Sequence, residues 1–162
     1  FGLGYLPQES SIFSDLSVEN NLLGIVELSA TDSQEASKIV TKLIDDFGLS
    51  KILNVKGRML SGGQRRKVEI ARTLISSPNL ILLDEPFAGI DPIAVEEIKE
   101  LLEEISKKDI SILITDHNVR ETLSLCDRAI ILVDGNIIAD GTEKQLKENE
   151  YVGKKYFGKM FS

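Results

Sequence analysis

An uninterrupted apolar run at residues 80–83 ends in two adjacent carboxylates, Asp84 and Glu85. A strand that is apolar at every position, and not only at alternate ones, is typical of a parallel sheet with both faces buried. A similar run at residues 110–114 follows a helical pattern that Pro92 opens. Since parallel strands need crossover connections, the two runs predict an α/β fold with right-handed crossovers and helices on both faces of the sheet.

Helical periodicity predicts most of the remaining organisation. Helices are expected at residues 18–28, 36–47, 63–75, 92–105, 118–126 and 151–157. A loop is expected at residues 50–58. The chain then divides into the end of a core strand at residues 1–8, an all-helical segment at residues 9–76 and an α/β half at residues 77–162.

Local signals mark several of the element boundaries. Asp32 with Glu35 resembles a capping box before the second helix, and Thr142 with Gln145 resembles another before a short helix. The tripeptide Asp134-Gly135-Asn136 lies between two apolar segments, which is the pattern of a hairpin turn. These signals agree with the boundaries that the periodicity predicts.

Asp84 and Glu85 stand where the first apolar run ends. Adjacent residues on a strand point to opposite faces, so the two carboxylates cannot share one role. One can hold Mg²⁺ through its water shell while the other orients or deprotonates an attacking water. The alternative is a solvated acid pair at a strand end. An unpaired carboxylate beside so apolar a run is costly, and a metal or a substrate relieves that cost.

The tetrapeptide Ser61-Gly62-Gly63-Gln64 opens a predicted helix. Ser61 with Gln64 fits a capping box, which satisfies two backbone amides without any ligand. That interpretation leaves the glycines unexplained, because each costs up to about 1 kcal/mol relative to alanine in a helix. Bare amides at a helix N-terminus, where the helix dipole is positive, suit a phosphate. We therefore expect Gly62 and Gly63 to meet a phosphate.

His117 is a further candidate for the same site, whereas the residues around Asp91 and Gln8 do not by themselves indicate a ligand. His117, the only histidine, follows the second apolar run, at the sheet edge where α/β folds bind ligands. A lone histidine is more often structural, but beside the two carboxylates a neutral imidazole can donate one hydrogen bond to a phosphate. Asp91 before Pro92 fits an N-cap. Gln8 has no signal of its own.

Composition narrows the class of function. A net charge of -7 without a basic stripe argues against nucleic-acid binding. The single cysteine, Cys126, cannot form an internal disulfide, which fits a reducing compartment, and its apolar neighbours indicate a small buried residue and not a reactive thiol. No apolar run approaches the roughly 20 residues that cross a bilayer. Membrane association is therefore expected to come through a partner.

Five motifs, in chain order, resemble those of ABC-type ATPases. They are the Q-loop residue Gln8, the signature residues 60–64, the Walker B residues 80–85, the D-loop residues 89–91 and the H-loop residue His117. The sequences of these motifs and of their flanking residues are similar to those of the branch that drives lipopolysaccharide export, and in part to those of branched-chain amino-acid importer ATPases. The resemblance implies a P-loop NTPase-like ABC nucleotide-binding domain, with a parallel-sheet core and an all-helical signature subdomain.

The phosphate loop of that family, G-x-x-x-x-G-K-[ST], does not occur in the sequence. The resemblance places it upstream of Phe1, so the chain is similar to the C-terminal two thirds of the domain. The phosphate-loop lysine and the aromatic residue that stacks on adenine are absent with it. We therefore expect negligible ATPase activity from these 162 residues alone. We also expect the strand at residues 80–83 to lack a neighbour, and hence poor solubility.

The resemblance also implies a head-to-tail pair of copies with two ATP molecules between them. The signature turn of each copy then contacts the γ-phosphate of the ATP held by the other, through Ser61 and Gly63, with Gly62 and Gln64 in the same turn. Asp91 contacts the partner copy. Each copy thus completes the site of the other.

For the acids and their neighbours the resemblance implies separate roles. Asp84 serves Mg²⁺, Glu85 polarises the lytic water and His117 holds the γ-phosphate. Gln8 contacts the metal and the water and links them to the helical segment. The implied cofactors are ATP and Mg²⁺.

Transporters of this family insert a coupling helix of the membrane permease into a groove near the Q-loop. Ile12, Phe13 and Leu16 are candidates for lining that groove, and packing inside the helical segment is the open alternative. The implied location is peripheral, on the cytoplasmic face of the inner membrane.

Chromosome and DNA-repair ATPases carry long coiled coils after the Q-loop, and the short segment here argues against them. A truncated, non-catalytic ABC module is a further alternative.

Overall fold

The computed structural model describes residues 2–28, 33–149 and 152 of the 162-residue chain. Two compact units divide between Thr115 and Asp116. Asp32 of the expected capping box lies outside the described residues, as does the helix expected at residues 151–157 apart from Val152. No helix in the described ranges is both long and apolar enough to cross a bilayer.

Four helices of the first unit follow the predicted periodicity. They are α1 (Val18–Leu28), α2 (Ser33–Asp46), α3 (Gly62–Leu74) and α4 (Pro92–Ser106). Gly48 follows α2 with a φ of 62°. Glycine adopts this left-handed conformation without steric cost, and it ends the helix as expected. Between α2 and α3, where the sequence predicts a loop, the chain forms two 3₁₀ turns, Ser50–Ile52 and Gly57–Met59.

Three parallel strands form the sheet of this unit. They are β1 (Leu3–Leu6), β2 (Leu80–Asp84) and β3 (Ser111–Thr115), in the order β1-β2-β3. The central strand β2 pairs with β1 on one side and with β3 on the other. The α/β class is therefore confirmed. The expectation that residues 80–83 lack a neighbouring strand is wrong, because β1 and β3 both pair with β2.

The sheet has one buried face and one exposed face. Leu6, Ile81 and Leu83 are at most 1% exposed. They lie on the face that packs against α3 and α4, which contact β1 and β3 respectively. Within the described residues the opposite face is apolar and solvent-exposed, at Leu3, Tyr5, Leu80 and Leu113.

The expectations of helices on both faces of the sheet and of a buried third strand are therefore wrong. Right-handed crossovers that step in the same direction along a sheet put their helices on the same face. The order β1-β2-β3 makes both steps in one direction. The continuous apolar runs correctly indicated parallel strands, but they do not show whether any of the described elements covers the second face of the sheet.

The second unit contains a hairpin between two short helices. Its elements are α5 (Val119–Leu123), β4 (Ala129–Val133), β5 (Asn136–Gly141) and α6 (Glu143–Glu148). Asp134 and Gly135 have φ values of 50° and 77°. A two-residue type I′ turn requires positive φ at both positions, so the predicted hairpin is confirmed. Asn136 already pairs with Val133, and so belongs to β5.

A small apolar core holds the second unit together. Its buried members are Leu123, Ile131, Ala139, Leu146 and Val152. The capping box of Thr142 and Gln145 is confirmed at the start of α6. Cys126 is half-buried, and burial, followed by the negative charge of Asp127, raises the pKa of its thiol. The thiolate form is thereby disfavoured, which supports the interpretation of an unreactive cysteine.

Candidate functional site

Two carboxylates lie at the carboxyl end of the central strand. Asp84 closes β2, and the hydroxyl of Thr115 at the end of β3 donates to its Oδ1 atom at 2.6 Å. The backbone N–H of Glu85 donates to the carbonyl of Thr115 at 2.7 Å. Thr115 was not among the predicted site residues. Its place directly after an apolar run is the signal that was available, since parallel strands end at one edge of the sheet.

Glu85 is held in an uncommon backbone conformation. Its φ of 44° lies in the left-handed region, where a residue other than glycine costs roughly 1–3 kcal/mol. Gln8, which follows β1 closely, donates from Nε2 to Oε2 of Glu85 at 2.7 Å. The fold therefore brings Gln8, Asp84 and Glu85 together at one sheet edge. Gln8 lies 77 residues upstream of Glu85, which explains why no local pattern marks it.

The start of α3 is closed by the capping box that the sequence predicts. The N–H of Gln64 donates to Oγ of Ser61 at 3.2 Å, and the N–H of Ser61 donates to Oε1 of Gln64 at 3.1 Å. Both side chains therefore have a structural task. Helix geometry offers no acceptor to the next two amides, which belong to Gly62 and Gly63. These are the amides that remain for a ligand at this helix end.

Packing also bears on the two glycines. A Cβ atom on Gly63 would lie 2.5 Å from Cβ of Ala94 in α4. A Cβ atom on Gly62 would lie 3.2 Å from the carbonyl oxygen of Gly89 and from Cγ2 of Ile90. The capping box alone left the glycines unexplained, but at Gly63 this close helix contact is a sufficient reason for glycine. The close approach of α3 to Ala94 favours glycine at position 63 whether or not a phosphate binds, whereas a Cβ atom at position 62 would be only a tight fit against Gly89 and Ile90.

We expect Gly63→Ala to destabilise the fold by about 1–3 kcal/mol, because overpacking of this kind forces backbone shifts. Neither of the two Cβ atoms belongs to a flexible side chain that can move away. Gly24→Ala is the matched control, since Gly24 lies inside α1 with nothing within 4 Å of an added Cβ. That change should stabilise the helix by roughly 0.5–1 kcal/mol. Urea unfolding of both variants measures the difference, and equal stabilities would contradict the packing explanation.

Asp91 connects the same segment to α4. It is the N-cap of α4, where its Oδ1 atom accepts from the N–H of Ala94 at 3.1 Å, and Pro92 follows at the first helical position. The predicted cap is confirmed. Asp91 is exposed, and the close approach of Gly62 to Gly89 and Ile90 brings the signature turn next to the segment that carries it.

His117 belongs to the second unit, one residue after its start. Its ring is exposed, and its Nδ1 atom lies 3.9 Å from Oδ1 of Asp116. The same Asp116 oxygen accepts from the N–H of Asn118 at 2.7 Å. The role of His117 beside the two carboxylates stays a prediction.

The donor set at the sheet edge fits Mg²⁺. Among the described residues, no three His, Cys, Asp or Glu side chains form a metal-binding group. Mg²⁺ does not need one, because it takes one or two carboxylates and fills the other positions with water and substrate phosphates. Asp84 supplies a carboxylate. The amide of Gln8 directs its nitrogen to Glu85, so its oxygen is the end suited to a hard cation.

Buried polar side chains hold the loop between β1 and α1. Asn21, which is fully buried, accepts from the N–H of Phe13 at 2.9 Å and donates to the carbonyls of Phe13, Leu16 and Ser17. Phe13 and Leu16 are nevertheless 44% and 41% exposed. Two of the three candidate groove residues are therefore presented to solvent by a fixed loop and are not part of the helical segment's core. Ile12 is partly buried.

Arg72 of α3 supports the aromatic ring of this loop. Its guanidinium lies 4.7 Å from the centroid of the Phe13 ring and donates to the carbonyl of Ser11 at 2.6 Å. Burial lowers the pKa of Arg72, and the neighbouring Glu69 opposes that shift. A cation over a ring face stabilises the ring position. Phe13 is thus an exposed aromatic residue with little freedom to move.

Comparison with known proteins identifies the family. A model of the ABC transporter family matches residues 2–88, just over half of the chain. The chain belongs to the ABC transporter family. LptB of Haemophilus influenzae, a lipopolysaccharide export system ATP-binding protein, is 49% identical over 162 residues. LptB of Escherichia coli K12 is 45% identical over 161 residues. Each alignment covers 99% of this chain and 67% of the relative.

Solved structures of the family share the fold. The ADP conformation of MJ1267, an ATP-binding cassette of an ABC transporter, superposes with a TM-score of 0.82 at 28% identity, covering 97% of this chain and 68% of that one. CbiO1 of Clostridium perfringens, part of a transporter complex, gives a TM-score of 0.82 at 29% identity, covering 98% and 64%. The prediction of an ABC-type ATPase domain is confirmed. The chain spans about two thirds of the length of these relatives.

Proposed function

We propose that these residues belong to the ATP-hydrolysing subunit of an ABC transporter that exports lipopolysaccharide. The observation that carries the proposal is the placement of Glu85, fixed by Gln8 and Thr115 beside Asp84 at the carboxyl end of the central strand. The relatives named as lipopolysaccharide export ATP-binding proteins, at 45–49% identity, support the choice of substrate.

In this proposal Asp84 and Glu85 have separate roles in ATP hydrolysis. Asp84 and the amide oxygen of Gln8 hold Mg²⁺, which neutralises charge on the phosphates when it is bound. Glu85 orients the attacking water and accepts its proton. The hydrogen bond from Gln8 keeps the Glu85 carboxylate pointing to the sheet edge, and the N–H contact with Thr115 fixes the backbone beneath it. His117 donates a hydrogen bond to the γ-phosphate.

The signature turn acts on the ATP of a second copy. In a head-to-tail pair, the amides of Gly62 and Gly63 face the partner's γ-phosphate, and the Ser61 hydroxyl adds a donor. Gln64 closes the turn through the capping box, which keeps these amides pre-oriented. Asp91, exposed at the adjacent N-cap, contacts the partner copy. The tight packing of Gly63 on Ala94 supports a turn that is rigid before ATP arrives.

The three-part layout follows from the same roles. Residues 1–8 end the core strand at the Q-loop, residues 9–76 form the helical signature subdomain, and residues 77–162 form the core half with its C-terminal helices. The subunit is peripheral, on the cytoplasmic face of the inner membrane, and binds a permease through the loop at Ile12, Phe13 and Leu16. The fixed and exposed ring of Phe13 supports this docking site, since rigid aromatic anchors lose little entropy on binding.

We expect Phe13→Ala to weaken association with the permease about tenfold or more, as loss of an aromatic anchor commonly does. The assay is co-purification of permease and ATPase, followed by titration of the separated subunits. Leu28→Ala is the matched control, because Leu28 is an exposed apolar residue at the end of α1, away from this loop in sequence. Equal affinities for the two variants would contradict the docking site.

Complementation tests the substrate. A polypeptide that joins these residues to a phosphate loop should restore growth to a cell depleted of its lipopolysaccharide export ATPase, when it is expressed with its own permease subunits. Failure there, combined with rescue of a cell that lacks a branched-chain amino-acid importer ATPase, would overturn the proposed substrate. A Glu85→Gln version is the negative control in both strains.

A further inference from the structure

A buried arginine contacts the backbone at two residues of the hydrolytic site, beside Gln8 and at Glu85. Arg66 belongs to α3, one turn after the signature glycines, and is only 5% exposed. Its Nη2 atom donates to the carbonyl of Glu85 at 3.1 Å, and its Nη1 atom donates to the carbonyl of Pro7 at 3.3 Å. Pro7 directly precedes Gln8. One guanidinium therefore binds the backbone beside both members of the Gln8–Glu85 hydrogen bond.

Glu69 extends this connection to the loop after Gln8. It is 3% exposed, and its Oε2 atom accepts from Nη1 of Arg66 at 3.4 Å. Its Oε1 atom accepts from the hydroxyl of Ser10 at 2.7 Å and from the N–H of Ser11 at 2.9 Å. The pair thus fixes the chain on both sides of Gln8.

Stability alone does not account for this pair. Removing two charges from water is costly, and buried ion pairs are often replaceable by apolar residues without loss of stability. What an apolar pair cannot provide is a planar fork that donates to two carbonyls at once. Glu85 lies in the left-handed region, and such a conformation persists only where surrounding contacts hold it. The hydrogen bond from Arg66 to the Glu85 carbonyl is one of those contacts.

We propose that Arg66 is a positioning residue for ATP hydrolysis, which holds the Glu85 carboxylate and the Gln8 amide in register through their backbones. Glu69 keeps the Arg66 guanidinium in place. The inference rests on the proposed function of Glu85. It adds that the geometry of the water-activating carboxylate depends on a side chain of the signature helix in the same copy.

Three variants test this role in a chain that carries these residues together with a phosphate loop. Arg66→Met should lower kcat about 100-fold, the effect of a displacement near 1 Å at a reacting group, with KM for ATP changed by less than about threefold. Arg66→Lys keeps the positive charge next to Glu69 but loses the planar fork of the guanidinium. Its kcat should therefore lie between that of the parental chain and that of Arg66→Met. Lys67→Met is the matched control, because Lys67 pairs with the half-exposed Glu97 at 2.6 Å on the surface and should be near parental.

A double variant separates positioning from general support of the fold. In single-turnover assays, Arg66→Met added to Glu85→Gln should cause no further loss of rate, because both changes act through one carboxylate. ATP-bound pairs of the double variant should still form on gel filtration. Additive losses, a raised KM with unchanged kcat, or loss of the ATP-bound pairs would each overturn the proposal.

Folding defects do not leave the question open. If Arg66→Met fails to fold, Arg66→Lys carries the test, and a parental kcat in that variant overturns the proposal. Loss of the fold in both variants also overturns it, because the pair would then serve stability. Parental turnover in Glu85→Gln would instead refute the proposed function itself, whereas an inactive Glu85→Gln beside a fully active Arg66→Met refutes only the role of Arg66.

Discussion

In a polypeptide that joins these residues to a phosphate loop, replacing Glu85 by glutamine is expected to lower kcat for ATP hydrolysis by at least about 100-fold, the usual contribution of a positioned general base. The variant keeps the size of the side chain and an acceptor for Gln8, but it loses the charge that attracts the proton of the attacking water. The backbone contacts with Thr115 and Arg66 involve only main-chain atoms of Glu85, so the left-handed conformation should survive. Nucleotide binding should therefore remain.

The measurement is phosphate release at saturating ATP, together with gel filtration in ATP to detect the paired form. ATP-bound pairs should accumulate, because they form but do not turn over. Glu27→Gln provides a control for loss of a carboxylate, since Glu27 is an exposed residue of α1 and should leave kcat unchanged. If Glu85→Gln hydrolyses ATP at the parental rate, Glu85 is not the group that activates water.

Local chemistry made much of the fold predictable. The helix at Val18–Leu28 and the hairpin around Asp134 and Gly135 follow from periodicity and turn residues, because both depend on neighbours in sequence. The open face of the sheet was not predictable in this way. The residues at Tyr5 and Leu113 are apolar in sequence but exposed in the structure, and coverage of a face is decided by the direction of the crossovers.

The candidate site was also only partly predictable from the sequence. Asp84 and Glu85 are visible in the sequence because they interrupt an apolar run. Gln8 and Arg66 are not, since their contacts with Glu85 bridge 77 and 19 residues and carry no periodicity. Gly63 illustrates a different failure, in which one sequence feature had two sufficient causes. A ligand and a close helix contact both favour glycine there, and only the distance to Ala94 reveals the second cause.

The 162 residues alone are expected to show no measurable magnesium-dependent ATPase activity. The sequence contains no G-x-x-x-x-G-K-[ST] motif, and in P-loop enzymes the backbone of that motif and its lysine cradle the β- and γ-phosphates. The groups present here act on a triphosphate that is already held. Glu85, Asp84 and the signature amides supply orientation and charge stabilisation, but without a phosphate cradle the ATP does not stay long enough to react.

The matched background for this assay is the same 162-residue chain carrying Glu85→Gln, which has an identical lack of a phosphate loop. Phosphate release from the two chains should be indistinguishable, whereas joining a phosphate loop to the unsubstituted chain should separate them. Detergent-free samples need a check by gel filtration, because the exposed apolar sheet face at Leu3, Tyr5 and Leu113 favours association. Turnover above the Glu85→Gln background would mean that these residues bind ATP productively by themselves. The signature turn would then have no need of a second copy, and the head-to-tail arrangement would lose its physical reason.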